Sequence, residues 1–376
     1  MKICLWGGIS KAIIGNTTGG GELQMALLAK ALSKAGHEVV VIDFQVSENF
    51  ITADGIRILK IEGWNSGIRL IRTFTHRLPL LYKTLKKQKA DVYYSRIRDF
   101  RHILTFLAAR KVKAKFVLGL ASDLDAMDFM SRLKFQILVS PANLWSFFNN
   151  MLIEIIYPFL LKHADLILVQ HEGQKKILLR KNIRSKVFYN FIGPPNNLTL
   201  TAHPENHFIY VGNLDKRKGF VDFFELVKRT PSIFYKVIGQ PTDKTGGFYY
   251  GELKQYNNVN LMGRLSHAET VKEIANSKAL ITTSRMEGFP NVFIEAWASG
   301  VPVFSLHFDP FVIEKEKLGK VSHGNLEALA ELIKNYTPDE EFSRRAKSYV
   351  ENNHVLNAKK VSEIDKIIKD LFNKAS

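Results

Sequence analysis

The sequence predicts an α/β protein built as two doubly wound domains that face each other across a cleft. Three observations lead there. The chain has 376 residues, too many for one ordinary core and enough for two domains of similar size. Short strand-like apolar runs alternate with helix-period segments almost throughout, the pattern of parallel sheets with helical crossovers. Near the middle, FYNFIGPPNNLTLTAHPEN (188–206) is rich in Pro and Asn and lacks periodicity, and a second series of the same kind begins after it.

In chain order, MKICLWGG holds one lysine and a very short apolar run, so it reads as a first strand and not as a signal peptide. A glycine-rich loop follows, then the helix ELQMALLAKALSKAG. There Leu23, Ala26, Leu27, Ala31 and Leu32 fall at helical spacing and Gly36 is placed to end it. HEVVVIDF is the second strand, and ADVYYSR, KAKFVLGLAS and ADLILVQ are further buried strands with basic helices between them. The second series runs HFIYVGN, the helix GFVDFFELVKR, FYKVIGQ, VNLMG, the helix HAETVKEIANS, ALITTS, a loop and helix from Ser284 to Ser299, and VPVFSL. The tail from about 338 to 373 reads as helical, with Ile364, Ile367, Ile368 and Leu371 in one stripe. The expected division is a Rossmann-like domain over 1–190, a linker over 191–206, a second Rossmann-like domain over 207–355, and a C-terminal helix, 356–376, packing back toward the first domain. Ligands of such sheets sit at the carboxyl ends of the strands, so the loops after strands are where function is sought.

Composition narrows the partners. The single cysteine, Cys4, excludes an intrachain disulfide and fits a reducing cytosol. Of the net charge of +17, most lies in the first half. Residues 1–195 hold 29 Lys and Arg against 14 Asp and Glu, and the remainder holds 24 against 22. That asymmetry points either to a polyanionic partner of the first domain or to a merely soluble basic surface. Nucleic acid is not expected, because no binding motif is present and the basic excess follows no single helix. RLIRTFTHRLPLLYKTLKKQK (69–89) interleaves cations with Leu, Ile and Phe, as an interfacial amphipathic helix or an ordinary solvated helix would. The apolar region 135–161 is broken by Asn143, Asn149, Asn150, Glu154 and Pro158, which makes it a poor spanning helix. It suits a buried helix hairpin or an edge resting on lipid.

Three motifs carry chemistry. GNTTGGGE (15–22) follows the first strand and opens a helix, where close backbone approach and free amides favour phosphate. It is neither a dinucleotide fingerprint nor a P-loop, and a flexible loop is the alternative. YVGNLDKRKGF (210–220) repeats the arrangement in the second domain and carries Lys216, Arg217 and Lys218 just before a helix start. Cations there oppose the helix dipole unless an anion lies between them. SRMEGFPNVFIEAWASGVPVFS (284–305) places Glu287 in a loop at the mouth of the sheet. Glu295 follows on a short helix, among Ile294, Ala296 and Trp297. A carboxylate in such surroundings needs hydrogen-bonding partners. Hydroxyl pairs of a sugar or ribose would serve, as would a structural ion pair.

The pattern E-G-F-P-N-V-x-x-E-A-x-A-x-G-x-P-V resembles the signature of the retaining GT-B glycosyltransferases, with the two glutamates at the family's seven-residue separation. GGGELQMALLAKALSKAGHEV, HADLILVQHEGQKKIL, YVGNLDKRKG, NVNLMGRLS and FDPFVIEKEKLG resemble further family segments in the same order. The resemblance implies a GT-B fold and transfer of a sugar from a nucleotide-diphosphate donor to an acceptor hydroxyl, with retained configuration and without a metal or cofactor. The acceptor would be a saccharide or a lipid-linked one, in bacterial cell-surface polysaccharide or glycolipid synthesis, in the cytoplasm or at the inner membrane face. By position, Glu295 would hold the ribose. Glu287 and the backbone of Gly288, Phe289, Pro290 and Asn291 would contact the donor sugar. Lys218, with Gly19 and Gly20, would neutralise the diphosphate, and Gly263, Arg264 and Leu265 would line the base. Two positions depart from the family. Asn213 stands where an arginine is usual, so that Arg217 or Lys216 would have to substitute, and Ala121 stands where a histidine is common. Asp123, close by, is the candidate for contacting the acceptor or sugar. Glu287, Lys218 and Asp123 are thus the catalytic candidates, with Asn213, Arg217 and the other named residues around the donor. The rival readings are a two-carboxylate glycosidase, a sugar-nucleotide epimerase of the same fold, and a catalytically silent sugar-nucleotide sensor.

Overall fold

The computed structural model describes residues 1–16, 19–69, 71–139, 144–193 and 205–373, without the side chains of 136–139 and 144–147. Thr17 and Thr18 of the glycine-rich loop, part of the apolar region and most of the expected linker therefore lie outside the described residues.

Two sheets form. The first has the order Phe50–Ile51, Arg57–Lys60, Glu38–Asp43, Lys2–Trp6, Val92–Arg96, Lys115–Gly119, Leu166–Val169 and Lys186–Val187. All neighbours pair in parallel except the outermost, Phe50–Ile51, which runs antiparallel to Arg57–Lys60. The second is wholly parallel: Val259–Gly263, Tyr235–Ile238, Phe208–Val211, Leu280–Thr282, Val303–Ser305 and Gly319–Val321. Both sheets are buried on two faces, which is why their strands read as near-continuous apolar runs and not as alternating ones. Each is doubly wound with helical crossovers, the architecture of a GT-B protein.

One face of the first sheet buries Ile3, Val39 and Val117 under the helix Gly20–Lys34 and the terminal helix Ala358–Asn373, whose Ile364, Ile367 and Ile368 join that core. The other face packs Tyr93 and Phe116 against Leu81, Leu85, Phe106, Tyr157 and Leu160. In the second domain Phe293 and Trp297 fill the core on one side, and Phe220, Phe223 and Leu226 on the other. The Trp297 ring nitrogen donates to the Leu318 carbonyl at 2.9 Å, so this large buried side chain leaves no orphaned polar atom.

The tail is helical but interrupted. It forms Glu340–Asn353 and Ala358–Asn373, separated by a stretch that crosses between the domains. There Val355 bridges Ile192 in parallel, the Ile192 amide donates to the His354 carbonyl at 2.8 Å, and the Leu356 amide to the Ile192 carbonyl at 3.0 Å. Backbone committed to that pairing cannot continue a helical ladder. The segment 69–89 also becomes regular later than its spacing suggests. A π-helical turn, Thr73–Arg77, runs into the helix Leu78–Lys87, with Pro79 near its start. The helices Lys244–Leu253 and Leu326–Lys334 were not anticipated. Among the described residues, no helix is long and apolar enough to cross a membrane.

His354 makes this crossing sensitive to acid. It is fully buried, Nδ1 lies 2.6 Å from the Asn190 carbonyl, and burial, assisted by Lys360, pushes its pKa down to about 4. An unfolded histidine takes up its proton near pH 6.5. Between pH 6.5 and 4 the unfolded chain therefore binds more protons, and stability falls as pH falls through that window, by on the order of 3 kcal/mol for a gap of this size. His354→Gln is expected to lower the unfolding midpoint at pH 7 but to flatten its decline between pH 6.5 and 4, as measured by thermal unfolding across that range.

Candidate active site

The carboxyl ends of the two sheets face each other across a cleft of about 640 Å³. From the first domain it is lined by Gly19 to Leu23, Arg96, Ala121, Gln170 and Asn190. From the second come Asn213, Arg217, Lys218, His267 and the segment Glu287 to Val292 with Glu295. Eleven of the residues singled out in the sequence thus meet in one space: Gly19, Gly20, Asn213, Arg217, Lys218, Glu287, Gly288, Phe289, Pro290, Asn291 and Glu295. Gly263, Arg264 and Asp123 are not among its lining residues. Arg264 is exposed beyond the end of the strand Val259–Gly263. Asp123 lies behind the cleft wall, where its Oδ1 accepts from His171 Nε2 at 2.8 Å and Gln174 Nε2 at 2.9 Å, while its amide donates to the Glu287 carbonyl.

Lys218 is placed by its loop. The strand Phe208–Val211 ends, the chain passes Asn213, and Asp215 accepts the Lys218 amide at 2.8 Å. The Lys218 carbonyl accepts from the hydroxyls of Tyr210 and Thr283, both at 3.1 Å. Gly219 then turns left-handed, at φ +67, into the helix Phe220–Arg229. A Cβ there would lie 2.1 Å from the Thr283 carbonyl oxygen, so glycine is required on both counts. The ammonium of Lys218 reaches Glu287 Oε1 at 2.5 Å. Two cations of this loop are held by carboxylates, Lys218 on Glu287 and Arg217 loosely on Asp215 at 3.8 Å.

The loop after Leu280–Thr282 leads into the helix Asn291–Ala298, capped by extended Pro290. Its start is pressed against the first domain. A Cβ on Gly288 would come within 1.8 Å of Gln170 Oε1 and 2.5 Å of the Ala121 carbonyl. The Asn291 side chain donates to the Gly20 carbonyl at 3.2 Å and accepts from Gln24 at 3.0 Å. Asn190 donates to the Phe289 carbonyl at 2.7 Å.

Glu295 is buried on the second turn of that helix, and His267 Nε2 stands 3.1 Å from its Oε1. The pair supplies the partner that a carboxylate in this apolar setting needs. The sequence held one sign of His267: it opens the helix His267–Ala275 directly after the capping serine, Ser266, beyond the end of the strand Val259–Gly263. Arg96, Gln170 and Asn190 also line the cleft without standing in any of the three motifs. The signal for Arg96 was a lone cation at the carboxyl end of a buried strand.

The two facing sheets and the cleft between them define a two-domain protein of the GT-B fold. Residues 199–353 match the family described as glycosyl transferases group 1. No curated protein matches the sequence. Among solved structures, the chain is similar to sucrose-phosphate synthase from Thermosynechococcus elongatus, with a TM-score of 0.76 at 16% identity over 100% of both chains. It is also similar to Anabaena HepE in complex with UDP and glucose, with a TM-score of 0.66, 17% identity and 100% of both chains. A third is the lipopolysaccharide outer core galactosyltransferase WaaB, with a TM-score of 0.65 and 19% identity over 98% of this chain and 99% of that one. At these identities the likeness establishes the shared fold.

The hydrogen bond that His267 donates to the Glu295 carboxylate raises the pKa of His267 above its ordinary value. The protonated pair therefore stabilises the fold below pH 6.5 and its contribution fades as pH rises through the raised value. The His267 side chain is exposed, so the energy is screened and small. Titration of the His267 ring by NMR is expected to give a midpoint above 6.5, returning toward 6.5 in Glu295→Gln.

Proposed function

We propose that this protein transfers a sugar from a nucleoside-diphosphate donor to an acceptor hydroxyl, retaining the anomeric configuration and needing no metal. The observation that carries the proposal is the convergence of Lys218, Glu287 and Glu295 of one domain with the Gly19–Gly20 loop of the other on a single cleft. Glu295, released from His267, takes the ribose hydroxyls. Glu287 and the Gly288–Asn291 backbone take the sugar. Lys218 and the amides at Gly19 and Gly20 take the diphosphate.

In the reaction the bond from the anomeric carbon to the phosphate oxygen breaks, and a bond from the acceptor oxygen to that carbon forms on the same face. The acceptor's proton passes to the departing phosphate oxygen. Charge therefore grows on the diphosphate, where a fixed cation lowers the barrier most. Glu287 keeps the Lys218 ammonium aimed before the donor arrives, which reduces the reorganisation needed at that moment. UDP and glucose accompany one structural relative, so UDP-sugars are the first donors to examine.

The acceptor is expected on the basic first domain, and a polyanionic lipid-linked saccharide suits that surface. Ile71, Phe74, Phe148, Met151 and Ile155 are exposed apolar residues on neighbouring elements, and Phe74 meets Phe148 edge to face. Arg69 and Arg72 flank Ile71 in sequence. An apolar patch edged by cations fits the interface of an anionic membrane, which gives the enzyme a place at the inner membrane face in cell-surface polysaccharide or glycolipid synthesis.

With purified protein and a panel of UDP-, GDP- and ADP-sugars, Glu295→Gln is expected to raise the donor KM by about tenfold, the loss of a charged hydrogen bond. Lys218→Ala is expected chiefly to lower kcat, by about 100-fold or more. Transfer at wild-type rates in both variants refutes the assignment. In flotation assays the protein is expected to bind anionic but not neutral vesicles at low salt, and to lose binding in Ile71→Ser/Phe74→Ser. Equal behaviour on both vesicles removes the membrane from the account.

A further inference from the structure

Arg96 ends the strand Val92–Arg96 in the first domain and lines the cleft opposite Lys218. It is a buried cation, 7% exposed, yet among the described residues no carboxylate lies within ion-pair distance of it. Asp125 is close enough to feel its charge, but that carboxylate is occupied by the amides of Ala121 at 2.7 Å and Ser122 at 3.0 Å. The partners of Arg96 are neutral. Nη2 donates to Asn190 Oδ1 at 2.7 Å, the Tyr94 hydroxyl lies beside the guanidinium, and Nε has no partner. An uncompensated buried cation is costly, and a cleft-lining arginine that makes no ion pair among the described residues suits an anion from outside.

The backbone beside it is strained. Ile97, a β-branched residue, holds φ +71, a conformation that such side chains rarely adopt. The carbonyls of Arg96 and Ile97 both point to Nε2 of buried His102, at 3.2 and 2.5 Å, and the Ile97 side chain covers Gly21 of the glycine-rich loop. Strain of this kind persists where the surroundings hold it, and it gathers at binding sites. Here it turns the strand end so that Arg96 enters the cleft.

Position selects the ligand group. Asn190, which accepts from Arg96, donates to the Phe289 carbonyl and lies 3.3 Å from Asn291 Oδ1. Arg96 therefore belongs to the end of the cleft around Glu287 to Asn291 and not to the Glu295–His267 end. Lys218, the cation facing it, is already matched by Glu287. A nucleoside diphosphate with its terminal phosphate between the two walls would meet one half-neutralised ammonium and one free guanidinium. We propose that Arg96 binds the terminal, sugar-bearing phosphate of the donor, so that the charge on the leaving group is neutralised from both domains and the cleft is drawn closed by its own ligand.

This rests on the donor reading above, and the test separates the two. UDP, GDP and ADP, with UMP, GMP and AMP, are titrated calorimetrically into wild type, Arg96→Gln, Arg96→Lys and Arg96→Gln/Asn213→Arg. Asn213 is exposed on the opposite wall of the same cleft, so an arginine there returns a cation to the site. For the base that the wild type prefers, Arg96→Gln is expected to weaken diphosphate binding about 10- to 100-fold. Monophosphate binding should stay unchanged, which also reports an intact fold. Arg96→Lys should lose less, and Asn213→Arg should recover at least part of the loss. Unchanged diphosphate affinity in Arg96→Gln overturns the proposal while leaving the donor site standing. Equal losses of mono- and diphosphate, or no recovery with Asn213→Arg, assign Arg96 a structural role and also overturn it. Failure of the wild type to bind any of the diphosphates overturns the donor reading and this proposal together.

Discussion

The hydrogen-bonded seam around Asn291 fixes the distance between the two sheets, and every statement about the cleft depends on it. Asn291 begins the helix that carries Glu295, yet its side chain is engaged by Gly20 and Gln24 of the other domain. Gln24 also brackets Phe191, accepting its amide at 3.0 Å and donating to its carbonyl at 2.8 Å. Asn190 completes the seam on Phe289. These are uncharged amide groups at the meeting of two polar surfaces. Each bond contributes only about 1 kcal/mol net, and leaving a buried partner unmet costs more. A seam of that strength sets a register while still permitting the domains to part, as a site that must admit donor and acceptor requires.

Charge is distributed around the seam in a consistent way. The second domain is nearly neutral overall, and its cleft cations are held by its own carboxylates. The first domain carries almost all the net positive charge, and at the cleft it offers Arg96, which has no carboxylate within ion-pair distance among the described residues. On the proposed reading, an anionic ligand would be drawn to the first wall and oriented by the second.

The repeated α/β architecture was legible because strands buried on both faces and helices with apolar stripes leave distinct periods in the chain. The donor-side motif was legible for a related reason. Glu287, Gly288, Pro290 and Glu295 stand on one continuous strand–loop–helix unit, so their spacing in sequence is their spacing in space. What the sequence hid is long-range. His267 lies 28 residues from Glu295, and Gln24 lies 267 from Asn291. Arg96 looks like one more cation in a basic half until burial and the lack of a carboxylate set it apart. The helical tail shows in the stripe Ile364, Ile367, Ile368 and Leu371, whereas the break before it rests on the pairing of Val355 with Ile192, a contact between chain segments more than 160 residues apart.

The central claim is that Glu287 and Glu295 are two grips on one donor held between the domains. A crystal structure with the nucleoside diphosphate that the protein binds tests it most directly. The account predicts ribose hydroxyls on Glu295 with His267 displaced, and phosphates between Lys218 and the Gly19–Gly20 amides. A nucleotide bound outside this cleft, or one that leaves the Glu295–His267 pair untouched and makes no contact with Lys218, would contradict it.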